Sequence, residues 1–163
     1  MNEWLAYYES PIGRMELCGT GEQVSSVRFL DDEMDSTLEH EASALPPAHV
    51  ITSCIQQLDE YFRGERKTFT LPLTISGTPF QQGVWQAITD IPFGKTITYK
   101  SLAASIGNDR AIRAAGTATG KNRFALLIPC HRVIGSNDSL HGYAWGLWRK
   151  EWLLAHEKKL ALD

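Results

Sequence analysis

The chain has 163 residues, 43% of them hydrophobic and 21% charged, a composition that excludes wholesale disorder and suits one or two small packed domains. No run of 18 apolar residues occurs and the N-terminus carries acid rather than a basic start, so neither a membrane span nor a secretory signal is expected; the expected location is the cytoplasm. The net charge of −3 conceals an asymmetry: residues 1–75 balance to −8 and residues 76–163 to +5, which points to a boundary near residue 75 and an anionic partner for the second half.

In chain order, Tyr7-Tyr8, Met15 to Cys18 and Val24 to Leu30 are apolar stretches separated by the turns Ser10-Pro11-Ile12-Gly13 and Gly19-Thr20-Gly21. They predict an antiparallel meander. Asp31 to His49 is acidic, holds Pro46-Pro47 and lacks periodicity, as a loop does. From Val50 the apolar positions Ile51, Cys54, Ile55, Leu58, Tyr61 and Phe62 recur at three- and four-residue spacing up to Gly64, predicting a helix with Cys54 on its core face. Phe69 to Leu73 reads as one more short strand. The first domain is thus expected over residues 1–75 as an α+β unit, a small antiparallel sheet with a helix.

Residues 76–163 form the second expected domain. Thr78, Pro79 and Gln81 make a capping box for a helix that ends at Pro92-Phe93-Gly94. Thr98 caps a helix over Tyr99–Ile106 with Gly107 beyond its end, and Asp109 is the expected cap of another running to about Ala118. Two short helices about a tight glycine turn predict a helix-turn-helix, here as part of a winged arrangement. Leu126-Leu127-Ile128 reads as a buried strand that delivers Cys130 at its end.

The three cysteines, Cys18, Cys54 and Cys130, are too widely spaced for a disulfide framework or half a zinc site, so no metal is expected. Only Cys130 has chemistry beside it. His131 can act as base or proton relay, Arg132 adds positive charge, and Pro129 fixes the backbone. A free thiol needs such help, since its ordinary pKa near 8.5 leaves only a few per cent thiolate at neutral pH.

Pro129-Cys130-His131-Arg132-Val133 resembles the active-site signature of the methylated-DNA–protein-cysteine methyltransferases, also called O6-alkylguanine-DNA alkyltransferases. The likeness extends over nearly the whole chain, through Gln57 to Gly64, Gly77 to Gln81, Ile91 to Thr96, Tyr99 with Leu102-Ala103-Ala104, Arg113 to Gly116, and Lys150 to Glu157. It implies a single-turnover repair protein, without a cofactor, that acts as a monomer on double-stranded DNA containing O6-alkylguanine. The damaged base is flipped out of the duplex and Cys130 takes its alkyl group as a thioether.

Carried over by position, the resemblance makes His131 the acceptor of the Cys130 proton through a water, Glu157 the residue that orients His131, and Tyr99 the phosphate-turning proton donor. Arg113 becomes the finger that fills the space of the flipped base, on a helix whose small residues Ala114, Ala115 and Gly116 permit close approach to a minor groove. Lys121 and Arg123 join the DNA-binding set. Asn122 matches the hinge asparagine; Tyr143, Ala144 and Trp145 match the loop lining the alkyl pocket, with Pro129 and the Val133 carbonyl completing it. The chain departs from the family pattern in having Arg123 where proline is usual, Trp145 where some members have a small residue, and no Cys/His set for a structural zinc in its first half. Two rivals are a non-catalytic winged-helix protein that binds lesions, and a cysteine hydrolase using Cys130 and His131.

Overall fold

The computed structural model describes residues 4–31, 50–136 and 142–161; the expected loop from Asp32 onward lies outside them. The chain forms two compact units, Met1–Ile75 and Ser76–Asp163.

In the first unit β1 (Trp4–Ser10), β2 (Gly13–Gly19) and β3 (Val24–Phe29) make an antiparallel sheet in that order. The β1–β2 turn closes because Ser10 Oγ accepts from Ile12 N and donates to the Gly13 carbonyl, while Gly13 takes a positive φ of 120°. The register pairs Ala6 with Leu17, Leu17 with Val27 and Met15 with Phe29, and all five side chains are buried. Strict alternation therefore gives the sheet one apolar face. Helix α1 (Val50–Phe62) packs against the three strands, burying Ile51, Cys54, Leu58 and Tyr61. Burial pushes the Cys54 thiol up to about 12, as suits a core cysteine.

The expected strand over Phe69–Leu73 does not form. Only Leu73 bridges, in parallel, to Val24. Pro72 has no N–H to give, and the Thr70 amide donates instead to the Gln57 side chain, whose own amide returns a bond to Thr70 Oγ1. At Thr70 a side chain has taken the place of a neighbouring strand, while the Pro72 carbonyl and the Thr74 amide still bond to Val24 of β3.

In the second unit α2 (Pro79–Thr89) begins with the expected capping box, Gln81 N donating to Thr78 Oγ1 at 3.1 Å and Thr78 N to Gln81 Oε1 at 3.0 Å. Thr98 caps α3 (Tyr99–Ser105) by accepting from Ser101 N. Helix α4 (Ile112–Gly120) starts later than expected: its N-cap is Ala111, with no side-chain cap. The turn closed by Ala111 N and the Asn108 carbonyl leaves Asp109 before the helix rather than at its start.

Helices α2, α3 and α4 pack on one another, and Trp85 Nε1 donates to the Ala118 carbonyl at 2.9 Å. Ala115 and Ala118 are buried in this packing, so there the small side chains allow helices to approach each other.

A two-residue parallel pair, β4 (Ile97–Thr98) with β5 (Val133–Ile134), is the sheet described in this unit; an antiparallel wing is not among the described residues. Because Tyr99 follows β4 and Cys130–Arg132 precede β5, this pairing brings the start of α3 beside the cysteine segment. Helix α5 (Leu147–Ala161) closes the unit with an unusual inner face: Arg149, Lys150, Leu153 and Glu157 are its buried residues.

Candidate active site

The segment before Cys130 is not the expected strand. Phe124 to Pro129 is buried, but it winds through turns, and Leu126 sits at φ 70°. Asn122 is the cause. Its Oδ1 accepts from Phe124 N at 2.9 Å, and its Nδ2 donates to the carbonyls of Phe124 (3.3 Å) and Ile128 (2.8 Å). These local bonds offer the backbone an alternative to a sheet ladder. The same Nδ2 lies 3.2 Å from Cys130 Sγ and donates to it, so one side chain shapes the turn and holds the thiol.

Cys130 opens a short 3-10 turn, Cys130–Arg132, and is 3% exposed. Its sulfur faces a cavity of about 240 Å³ lined by Tyr99, Gly116, Thr119, Gly120, Gly142, Tyr143 and Ala144. Gly116 lies against Tyr99, but a Cβ there would meet the ring at 3.8 Å, ordinary contact, so space for Tyr99 does not require the glycine. Burial pushes the Cys130 thiol up to about 11, against the Asn122 hydrogen bond, the charge of Lys150 and a backbone hydrogen bond, which all favour the thiolate. Tyr99 and Tyr143 are also raised, by burial first and then by Cys130, so both phenols keep their protons.

Behind the cysteine lies a buried polar network. His131 Nε2 is 2.7 Å from Glu157 Oε2, and Arg132 reaches the same carboxylate through Nε (2.8 Å) and Nη2 (3.0 Å). The Gly94 amide adds a longer bond of 3.4 Å. Burial opposes ionisation of Glu157, but the His131 hydrogen bond and the charge and two hydrogen bonds of the Arg132 guanidinium overcome it and hold the carboxyl well below the usual range. Burial lowers His131 in spite of Glu157, so the imidazole is neutral. With Nε2–H donating to Glu157, the other nitrogen is an acceptor, and Nδ1 is buried without a hydrogen bond among the described residues. The Tyr143 hydroxyl is likewise buried and has no hydrogen-bond partner among the described residues.

Several expected site residues lie elsewhere. The Arg132 charge is not directed at the thiol: besides Glu157 it donates through Nη1 to the Ile91 carbonyl and lies over the Phe93 ring. Trp145 is absent from the cavity lining. It packs edge-on behind Tyr143, with ring centroids 5.4 Å apart, and its carbonyl accepts from Arg149. Pro129 and Val133 are buried outside the lining, and the Val133 carbonyl already accepts from Lys150 Nζ at 2.7 Å. Ala115 is in the core, whereas Arg113, Ala114, Lys121 and Arg123 are exposed.

Lys150 is the residue whose importance the sequence reading missed. It is fully buried, donates to Val133 and, at 3.3 Å, to the Gly142 carbonyl, and stands 6.0 Å over the Tyr99 ring. The available signal was spacing: Lys150, Leu153 and Glu157 share one helical face.

Comparison with known proteins agrees with this arrangement. Residues 79–159 match the family model for the 6-O-methylguanine DNA methyltransferase DNA binding domain, and residues 5–75 the model for its ribonuclease-like domain. A methylated-DNA–protein-cysteine methyltransferase of Methanosarcina acetivorans is 42% identical over 94% of this chain and 97% of its own length. One from Mycobacterium tuberculosis is 40% identical over 94% and 91%. The crystal structure of an O6-methylguanine methyltransferase from M. tuberculosis superposes with a TM-score of 0.83 at 37% identity, covering 97% of this chain and 94% of that one. The M. tuberculosis OGT solved in complex with DNA gives 0.83 at 38% identity, over 96% and 93%. A buried cysteine beneath a cavity, beside a histidine held by a carboxylate, thus sits in a chain alike from end to end: it belongs to the methylated-DNA–protein-cysteine methyltransferase family.

Proposed function

We propose that this chain is a DNA repair protein that removes the alkyl group from O6-alkylguanine in duplex DNA, as a monomer, by irreversible transfer to its own Cys130. The observation that carries the reading is the placement of Cys130 Sγ at the cavity, held by Asn122 and backed by the His131–Glu157 pair. Every group the chemistry needs comes from residues 76–163 of one chain, which supports action as a monomer.

A thiol that is 3% exposed and opens on a cavity meets a base only after the base has left the stack, so the target nucleotide is rotated out of the duplex. Arg113 is exposed on α4, where it can enter the gap in the stack, and Arg110, Lys121 and Arg123 are exposed cations for the phosphates. Tyr99 stands at the cavity wall at the N-terminus of α3, in place to turn the phosphate.

The thiol rests protonated, so its proton leaves as the substrate arrives. The acceptor is His131 Nδ1, reached through a water, and the resulting imidazolium is stabilised by Glu157. Sulfur then attacks the alkyl carbon in line. The S–C bond forms, the C–O6 bond breaks with its electron pair going to the guanine, and the Tyr99 phenol donates the proton that restores a neutral base. The thioether remains on Cys130. No metal or cofactor enters these steps.

The test is intact-mass measurement after mixing with duplex DNA bearing O6-methylguanine. One methylene mass gained per molecule, mapped to Cys130, is the expected result; label on Cys18 or Cys54, or many products per molecule, overturns the reading. Cys130→Ala abolishes transfer and keeps DNA binding.

A further inference from the structure

Of the buried cations of this unit, Arg149 donates to the Trp145 carbonyl, while Arg132 and Lys150 adjoin the cysteine segment and do different things. Arg132 gives three of its donors to Glu157 and the Ile91 carbonyl. Lys150 comes from α5 on another side: its ammonium donates to the carbonyl of Val133, three residues after the nucleophile, and to that of Gly142, which is itself part of the cavity wall. It also lies over the ring of Tyr99, another part of that wall. One buried ammonium thereby connects the segment that carries the cysteine with two walls of the cavity.

We propose that Lys150 is a positioning residue for the transfer, whose ammonium fixes the Val133 and Gly142 carbonyls and stabilises the Cys130 thiolate electrostatically as the proton leaves. The proposal rests on the reading of Cys130 as the alkyl acceptor. It adds no bond-making step. The charge acts through space on the sulfur, and in a low-dielectric site such an effect is far larger than in water.

The surroundings of the sulfur support assigning this charge to Lys150. Asn122, from the segment after α4, contributes a neutral hydrogen bond. Tyr99 on α3 and Tyr143 in the cavity wall keep their protons. On the cysteine's own turn, His131 is neutral and Arg132 is matched by the Glu157 carboxylate of α5. Lys150 is the cation whose field favours the thiolate. Burial lowers its own pKa to about 8, opposed by Cys130, so it carries a proton at neutral pH and loses it just above.

The experiment measures the rate of reaction with the free base O6-benzylguanine from pH 6 to pH 10, for the intact protein and for Lys150→Gln and Lys150→Arg. A free base needs no flipping, so DNA binding does not enter. Lys150→Gln is expected to slow the reaction at least tenfold at neutral pH and to move its rising limb to higher pH. Lys150→Arg restores most of the rate and lacks the inflection near pH 8 at which the lysine discharges. A folded glutamine variant with the parent rate and profile overturns the proposal. So does equal slowing of both variants with unmoved profiles, which means packing alone. If melting curves show that the glutamine variant does not fold, the arginine profile decides: loss of the inflection supports the proposal, and a curve identical to the parent's refutes it. Failure of the underlying function is distinguishable, because the intact protein would then gain no alkyl mass at Cys130.

Discussion

Replacing Glu157 by glutamine tests the network behind the cysteine in two independent ways. The carboxylate is 1% exposed and accepts from Arg132 twice, from His131 and from Gly94. Removing one member of a buried ion pair costs about 3–5 kcal/mol, because the remaining charge has lost its partner. The amide oxygen still accepts from Arg132, which places Glu157→Gln near the lower end, at about 3 kcal/mol. For a chain of this length that is a fall in Tm of roughly 6–12 °C.

The pH dependence supplies the second readout. The folded carboxyl lies below its unfolded value, so its contribution is complete above an unfolded pKa of about 4.3 and is lost as pH falls below it. The folded imidazole of His131 is also lowered, so its neutral form adds stability that is lost as pH falls below about 6.5. The parent protein therefore loses stability in both windows on acidification, and Glu157→Gln lacks the lower one. Denaturant titrations at pH 7, 5 and 3.5 check this, together with the transfer rate at pH 7, which is expected to drop roughly 10- to 100-fold as part of what a positioned base contributes. An unchanged Tm at pH 7, or parallel acid losses in the two proteins, refutes the argument.

Arg113→Ala slows repair of duplex DNA much more than reaction with free O6-benzylguanine, since the side chain is exposed on α4 and outside the cavity; equal losses in the two rate assays refute the finger role. Trp145→Gly removes the edge-on contact with Tyr143, about 0.5–1.5 kcal/mol, and loosens one wall of the cavity without enlarging it directly. The rate with O6-benzylguanine relative to methylated DNA is expected to rise by about tenfold at most; an unchanged ratio shows that the Tyr143 wall does not depend on the indole.

The parts of the fold legible in the sequence are those whose instructions are local. Thr78 with Gln81, and Thr98 with Ser101, carry their helix starts within four residues. The meander is written in alternation and turn residues, and Cys130 is marked by its immediate neighbours. The two misread strands share one physical cause. At Phe69–Leu73 and at Leu126–Ile128, apolar runs suggest strands, yet a side-chain amide takes over backbone bonds, from Gln57 in one place and Asn122 in the other. Gln57 lies 13 residues before the threonine it binds, and apolar periodicity contains no signal for such a pairing.

The buried charged face of the C-terminal helix, α5, is illegible for a related reason. A helix is recognised by its apolar stripe, and this one buries Arg149, Lys150 and Glu157 beside Leu153. Burying charges is costly, and a structural helix would achieve the same packing with aliphatic residues at those positions. Here the cost has a local purpose. Glu157 fixes the tautomer of His131 so that its free nitrogen is an acceptor, and Arg132 keeps that carboxylate ionised. Lys150 leaves positive charge where the sulfur will become negative. Two of the residues that break the amphipathic pattern, Lys150 and Glu157, are the ones proposed to prepare the thiol, so the departures of α5 from an apolar stripe lie where the proposed chemistry is.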